Sequence, residues 1–216
     1  MKRLLFIFPL FIMGNVYAQH RQTINLSRML TQNKLVTYPG KKLGPIEDNS
    51  KQGINCDGIV WLKGFDFDEG TVELDLRGRN EFLKSFLGIA FHGTDTLHYE
   101  SIYFRPFNFQ SADAMRRTWS VQYMNVPDYP YERLRKEHAG QFENEIIPNP
   151  KPEDWLHTRI VIGKDSTWVY VNGLLKPSLK VKNIATGKGR LIGLWTSGLS
   201  GDFANLVITS KGVRKK

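Results

Sequence analysis

From Gly53 almost to the end of the chain, apolar and polar residues alternate with a period of two in short runs, each stopped by Gly, Pro, Asn or Asp. The clearest pair is 158–162, Thr-Arg-Ile-Val-Ile, and 167–171, Thr-Trp-Val-Tyr-Val, around the turn-forming residues 163–166. This pattern predicts a β-hairpin. Asn172-Gly173 then tolerates positive φ, so the chain reverses again and a third strand is expected around 175–181. Further strands are predicted at 59–62, 71–76, 86–92, 99–105, 119–124, 191–195 and 203–209. Residues 19–52 are polar, with weak strand signals at 23–26 and 35–38, and read as an N-terminal arm with edge strands. So many bounded strands without intervening helical pattern predict an all-β sandwich or jelly roll.

One segment departs from this alternation. Residues 131–139 carry helix formers throughout, with Pro130 at the start, Gly140 as a stop, and Glu132 four residues before Lys136. A short surface helix is expected there. It lies within a long Pro- and Tyr-rich insertion, residues 125–152, and long ordered loops on a β-scaffold often shape a binding site.

The first 18 residues change the organisation. Lys2 and Arg3 precede an apolar run at 4–13, and Val16-Tyr17-Ala18 has small residues where a signal peptidase reads. The run is too short to span a bilayer and Pro9 interrupts it. A signal peptide cleaved after Ala18 is expected, giving a periplasmic or secreted protein with no transmembrane segment. The remaining length suits one domain, divided as the 19–52 arm, a sandwich over 53–210 and a basic tail at 211–216. Cys56 is the single cysteine, so no intrachain disulfide forms, and it is read as a small buried hydrophobe. The formal charge of +9 favours anionic partners, which outside the cell means acidic polysaccharide or a membrane surface more readily than nucleic acid.

The Trp155 to Gly173 stretch, with its closing Val-Asn-Gly, resembles concanavalin A-like β-sandwiches, in particular their laminin G-like and 3-keto-disaccharide hydrolase-like branches. Three further features carry the resemblance in the same order: residues 70–76, Gly88-Ile89-Ala90-Phe91-His92 followed by His98-Tyr99-Glu100, and Gly201-Asp202-Phe203-Ala204-Asn205-Leu206. The chain has His92 where those relatives commonly have Arg, and Ile102 where they commonly have Gln. The resemblance implies a concanavalin A-like jelly roll, to which residues 131–139 add one short surface helix, and an extracytoplasmic carbohydrate-active protein with oligo- or polysaccharide as its partner.

Glycoside hydrolysis needs two carboxyl groups across the scissile bond. The Glu73-Leu74-Asp75-Leu76-Arg77 run approaches the Glu-x-Asp-x-Glu strand of glucanases, but Arg77 replaces the last carboxylate. The stronger catalytic candidates are Glu100 as general acid or base and His92 beside it. Two registers are open. With a five-residue loop at 93–97, His92 pairs with His98, Ala90 with Glu100 and Gly88 with Ile102, which puts His92, His98 and Glu100 on one outer face. This register is the one expected, because such loops are common and Gly88 and Ala90 leave room for a sugar. Slipped by one residue, the pairing turns Glu100 toward the core and brings Tyr99, Ser101, Tyr103 and Arg105 to that face as a stacking and anion-binding surface. Substrate-binding candidates are therefore His98, Tyr99, Tyr103 and Arg105. A second carboxylate could come from Glu132, Glu137 or Asp95. No cofactor is expected, and neither histidine spacing nor thiolates suggest a zinc site. Asp66, Asp68 and Asp202 are the oxygen ligands available to a structural calcium. Three functions remain open: a glycan-binding module, an acidic glycan among its candidate ligands; a glycoside hydrolase using Glu100; and a structural or adhesive protein.

Overall fold

A computed structural model describes residues 19–48, 50–184 and 189–211. The expected signal segment and residues 212–216 of the basic tail lie outside them. In chain order the elements are β1 (Gln19–Ile24), α1 (Leu26–Thr31), β2 (Leu35–Val36), β3 (Leu43–Pro45), β4 (Gly53–Cys56), β5 (Ile59–Leu62), β6 (Gly70–Arg77), β7 (Ser85–Gly93) and β8 (Tyr99–Phe104). A 3-10 turn (Pro106–Asn108) and α2 (Ala114–Arg117) lead to β9 (Val121–Val126), α3 (Tyr131–Glu137) and β10 (Glu143–Asn144). The chain closes with β11 (Leu156–Ile162), β12 (Ser166–Val171), β13 (Leu179–Lys182), β14 (Leu191–Gly198) and β15 (Gly201–Lys211).

The strands form two antiparallel sheets. The first runs β13-β12-β11-β6-β15-β4-β3, with β1 also on β15; the second runs β10-β9-β8-β7-β14-β5-β2. The predicted hairpin is present, with Ile160 opposite Val169. Asn172 and Gly173 have φ of 51° and 74°, as the reversal before β13 requires. Alternation sorts β6 as anticipated. Val72, Leu74 and Leu76 face inward with at most 1 % exposure, while Glu73, Asp75 and Arg77 face outward.

The inner faces of both sheets meet in one hydrophobic cluster that includes Ile160, Val169 and Phe203 from the first sheet and Leu87, Ile89, Ile102 and Leu194 from the second. Cys56 is buried in it, and burial pushes its thiol well above the usual range. Helix α3 forms where expected. Leu134 of α3 and Phe142 and Ile146 beyond it are buried in the same cluster, so the 125–152 insertion is anchored to the body.

The N-terminal arm departs from a strand-only reading. Asn25 caps α1 by accepting from the Arg28 amide at 2.9 Å, so Leu26 starts a helix where a strand signal had been read. Helix α2 is likewise absent from the sequence expectation; Asp113 caps it through the Met115 amide.

The favoured register of β7 and β8 is corrected. Ala90 pairs with Ser101, Gly88 with Tyr103 and Phe91 with Glu100, one residue away from the five-residue-loop pairing. The reason is a bulge in β7. The pairing with β14 shifts between Ala90 opposite Gly193 and Gly93 opposite Leu191, and His92 sits there with φ of 50°. The bulge ends strict alternation, so His92 turns inward instead of sharing a face with Gly88 and Ala90.

Candidate binding site

The slipped pairing divides the candidate residues between two faces. Glu100 lies between the sheets at 1 % exposure, where it meets His92 Nδ1 at 2.7 Å and accepts from the Tyr123 hydroxyl at 2.6 Å. The other ring nitrogen of His92 lies 2.5 Å from the Asp68 carbonyl oxygen. Burial works against a charge on His92, but its hydrogen bond and attraction to Glu100, helped by Asp68, prevail and raise its pKa. His98 is exposed at the loop and pairs with Asp95 at 2.9 Å, so it does not join His92 and Glu100. Glu137, another proposed second carboxylate, pairs with Arg133 at 2.9 Å.

Tyr99, Ser101 and Tyr103 follow the outer face of the second sheet. Tyr99 accepts from Trp195 Nε1 at 3.1 Å and stands edge-on to Trp61. Tyr103 is flanked across Gly88 by Trp195, with ring centroids 5.0 Å apart. Gly88 permits that approach, since it places no side chain between the two rings. Burial pushes the Tyr103 hydroxyl up to about 12.

At the end of this face Arg105 is 4 % exposed. Its Nη1 donates to the Trp119 carbonyl at 2.9 Å and its Nη2 to the Tyr103 hydroxyl at 2.6 Å, with a further bond to Gln122 Oε1. The guanidinium lies 4.8 Å from the Tyr103 ring centroid, 5.7 Å from that of Phe86 and 5.8 Å from that of Tyr131. Such contacts contribute about 0.5–2 kcal/mol each, more where water is excluded. Burial, with the charge of Arg135 adding to it, lowers the Arg105 pKa, yet the group stays cationic.

Arg105 forms the floor of a cavity of about 240 Å³ whose walls are Phe82, Leu83, Phe86, Phe107, Asn108, Arg116, Trp119, Tyr131 and Arg135. The walls come from the β6–β7 loop, the segment after β8, and α3. Arg135 stacks on Trp119 at 4.1 Å and holds Glu143 at 2.7 Å. Arg116 lies 4.2 Å from the Phe82 ring centroid. At the mouth, Phe82, Leu83 and Tyr131 are 48 %, 63 % and 40 % exposed, and Leu83 holds a φ of 57°. A bulky side chain in that left-handed region is unusual and clusters at functional sites. None of the lining residues carries a carboxyl group.

Sequence reasoning found Tyr99, Tyr103 and Arg105 and missed most of the walls. Tyr131 and Arg135 were legible, since they stand at i and i+4 on the predicted helix and so share a face. Phe82, Phe107 and Trp119 come together only through the fold.

The calcium candidates are engaged elsewhere. Asp202 accepts from Asn55 at 2.6 Å, Arg77 at 3.0 Å and Arg79 at 3.1 Å, while Asp66 and Asp68 both pair with Arg190. Among the described residues no group of three or more His, Cys, Asp or Glu side chains is placed to hold a metal ion. Asp75, the centre of the glucanase-like run, receives Lys51 at 2.5 Å, His157 at 2.7 Å and Asn205 at 2.7 Å. Burial raises its pKa, but those hydrogen bonds outweigh burial and lower it.

No family model matches the chain, and no curated protein matches it. Solved structures do share its fold. A Bacillus subtilis protein of unknown function with a galectin-like fold is 12 % identical, with a TM-score of 0.56 over 91 % of this chain and 96 % of that one. The carbohydrate binding module CBM66 from Bacillus subtilis is also 12 % identical, with a TM-score of 0.53 over 78 % and 92 %. The exoplasmic/lumenal domain of VIP36, in its Ca2+-bound form, is 6 % identical, with a TM-score of 0.50 over 92 % and 85 %. The chain has the concanavalin A-like β-sandwich fold.

Proposed function

We propose that the protein is an exported carbohydrate-binding protein whose combining site is the Arg105 cavity. The observation that carries this reading is the cavity's chemistry: aromatic walls able to stack on the C–H faces of a sugar, with Arg105, Asn108 and Arg135 as hydrogen-bonding groups, and no carboxyl in the lining. A like-folded carbohydrate binding module makes a saccharide the ligand class to test first. Export rests on the signal pattern of residues 2–18, and no helix among the described residues is long and apolar enough to cross a membrane.

Binding is favoured over hydrolysis by where the carboxyl groups lie. A glycosidase sets two of them about 5–9.5 Å apart across the bond it cuts. Glu100 is instead between the sheets, held by His92 and Tyr123, and Glu143 is buried against Arg135. A positioning role for Glu100 in the fold is the reading these contacts support.

The test is a glycan array followed by calorimetry on the hits. Tyr131→Ala should weaken binding several-fold to about tenfold, the loss of one stacking contact, while leaving the melting temperature within a few degrees. Chromatography of the bound glycan should return it at its original length. A shortened product would replace the binding reading with a hydrolytic one, and undiminished affinity in both Tyr131→Ala and Trp119→Ala would move the site elsewhere.

A further inference from the structure

We infer that the saccharide taken by this cavity is anionic, its carboxylate or sulfate ester seated against the Arg105 guanidinium. The inference rests on the carbohydrate reading above and goes further by naming the ligand's charge. Arg105 is almost fully buried and takes part in no ion pair among the described residues. Its partners there, the Trp119 carbonyl, the Tyr103 hydroxyl and the Gln122 side-chain oxygen, are all neutral. Those three bonds use one Nη1 and two Nη2 hydrogens, which leaves the Nε–H and the second Nη1–H to donate.

A buried cation ordinarily has a buried anion beside it, because desolvation without compensation costs several kcal/mol. Of the nearby carboxyls, Glu143 is bound to Arg135 and Glu132 is engaged with the Tyr131 hydroxyl. Among the described residues Arg116 at the wall is paired with Asp113 alone, exposed and 3.7 Å away. Two further donors, Arg135 Nη2 and Gln122 Nε2, are buried and lack an acceptor, and the unpaired Asn108 side-chain oxygen offers a neutral acceptor but no negative charge. The site thus gathers Arg105, Arg116 and Arg135 around a cavity whose lining offers no negative charge.

Aromatic rings on several sides exclude water, so an arriving anion is attracted with little screening. Guanidinium also suits the task better than ammonium, since its planar fork can hold both oxygens of a carboxylate or sulfate. The cavity volume of about 240 Å³, small for a ligand pocket, suits a single sugar unit.

The experiment uses the chain from Gln19 and matched sets of glycans. These are oligogalacturonate and its methyl ester, glycosaminoglycan fragments with and without sulfate, and neutral galactan and glucan oligosaccharides. Calorimetry at low and high salt should give the anionic member of a set at least about tenfold tighter binding than its neutral counterpart, with the gap closing as salt rises. Preference for the free uronate identifies the carboxylate as the anion, and preference confined to the sulfated fragments identifies the ester. Arg105→Gln should erase the preference, bringing the affinity for the anionic glycan down to that for its neutral counterpart measured on the same variant. Should that variant fail to fold, Arg116→Gln carries the test, with the advantage of the anionic glycan over its neutral counterpart reduced several-fold. Equal binding of acid and ester, with sulfate making no difference, overturns the anion inference and leaves carbohydrate binding standing. Failure of every glycan to bind overturns both.

Discussion

His92 shows how one backbone angle relocates a functional candidate. The left-handed bulge swings the ring between the sheets, where Glu100 and the Asp68 carbonyl receive it. Its pKa is raised, so the sign of its linkage to folding follows. The stabilisation is fully present below the unfolded value of about 6.5 and is lost as pH rises through the higher folded value. Titration of His92 by NMR should give a midpoint above about 6.5 in the native protein. In Glu100→Gln the midpoint should fall, because burial is then opposed by the weaker influence of Asp68 alone. A native midpoint below the ordinary histidine value would mean that burial dominates and that the His92–Glu100 contact holds no charge.

At the scale of strands, Gly88 is the position where pairing and site meet. A Cβ added there would stand 2.0 Å from the Ile102 carbonyl oxygen, a backbone atom that cannot yield without moving β8. Gly88→Ala should therefore cost about 1–3 kcal/mol and disturb the Tyr103–Trp195 contact that supports Arg105. Gly44→Ala, where the new methyl meets nothing within 4 Å, should stay within about 0.5 kcal/mol of the parent in urea unfolding. Equal midpoints for the two variants would show that β7 and β8 adjust freely at this point. Strands were readable where one face was buried and the other wet, as in β11, β12 and β13, which alternate strictly; β5, buried on both faces, was placed with its observed bounds because Ile-Val-Trp-Leu is an unbroken apolar run. β4 was not, because Gly-Ile-Asn-Cys is buried throughout yet is neither an apolar run nor an alternating one. The register at β8 was also out of reach, since the bulge that sets it inserts one residue and the loop chemistry fits either pairing. The cavity was half legible for a related reason: Tyr103 and Arg105 follow from period two, whereas Phe82 and Trp119 reach them through loops.

The whole molecule is closed by its last strand. β15 lies between β6 on one side and β4 and β1 on the other, and sends Phe203, Leu206 and Ile208 into the core at 0 %, 1 % and 4 % exposure. Removing it would strip β1 and β4 of their partner, expose the edge of β6 and open the cluster that joins the sheets. Pairings between such distant segments make the fold depend on non-local contacts, so the sandwich should unfold as one unit. A chain ending at Gly198 is expected to show no cooperative melting transition and to bind a hydrophobic dye. By contrast, β1 is an edge strand paired only with β15, and among its residues from His20 onward Ile24 alone is buried. A chain starting at Asn25 should therefore melt cooperatively at a lower temperature and keep its ligand, because the Arg105 cavity is built from the other sheet. Circular dichroism melts of the two truncations decide between this picture and its alternative. A cooperative transition in the chain ending at Gly198 would mean that the second sheet and β6 hold the core without their central closing strand.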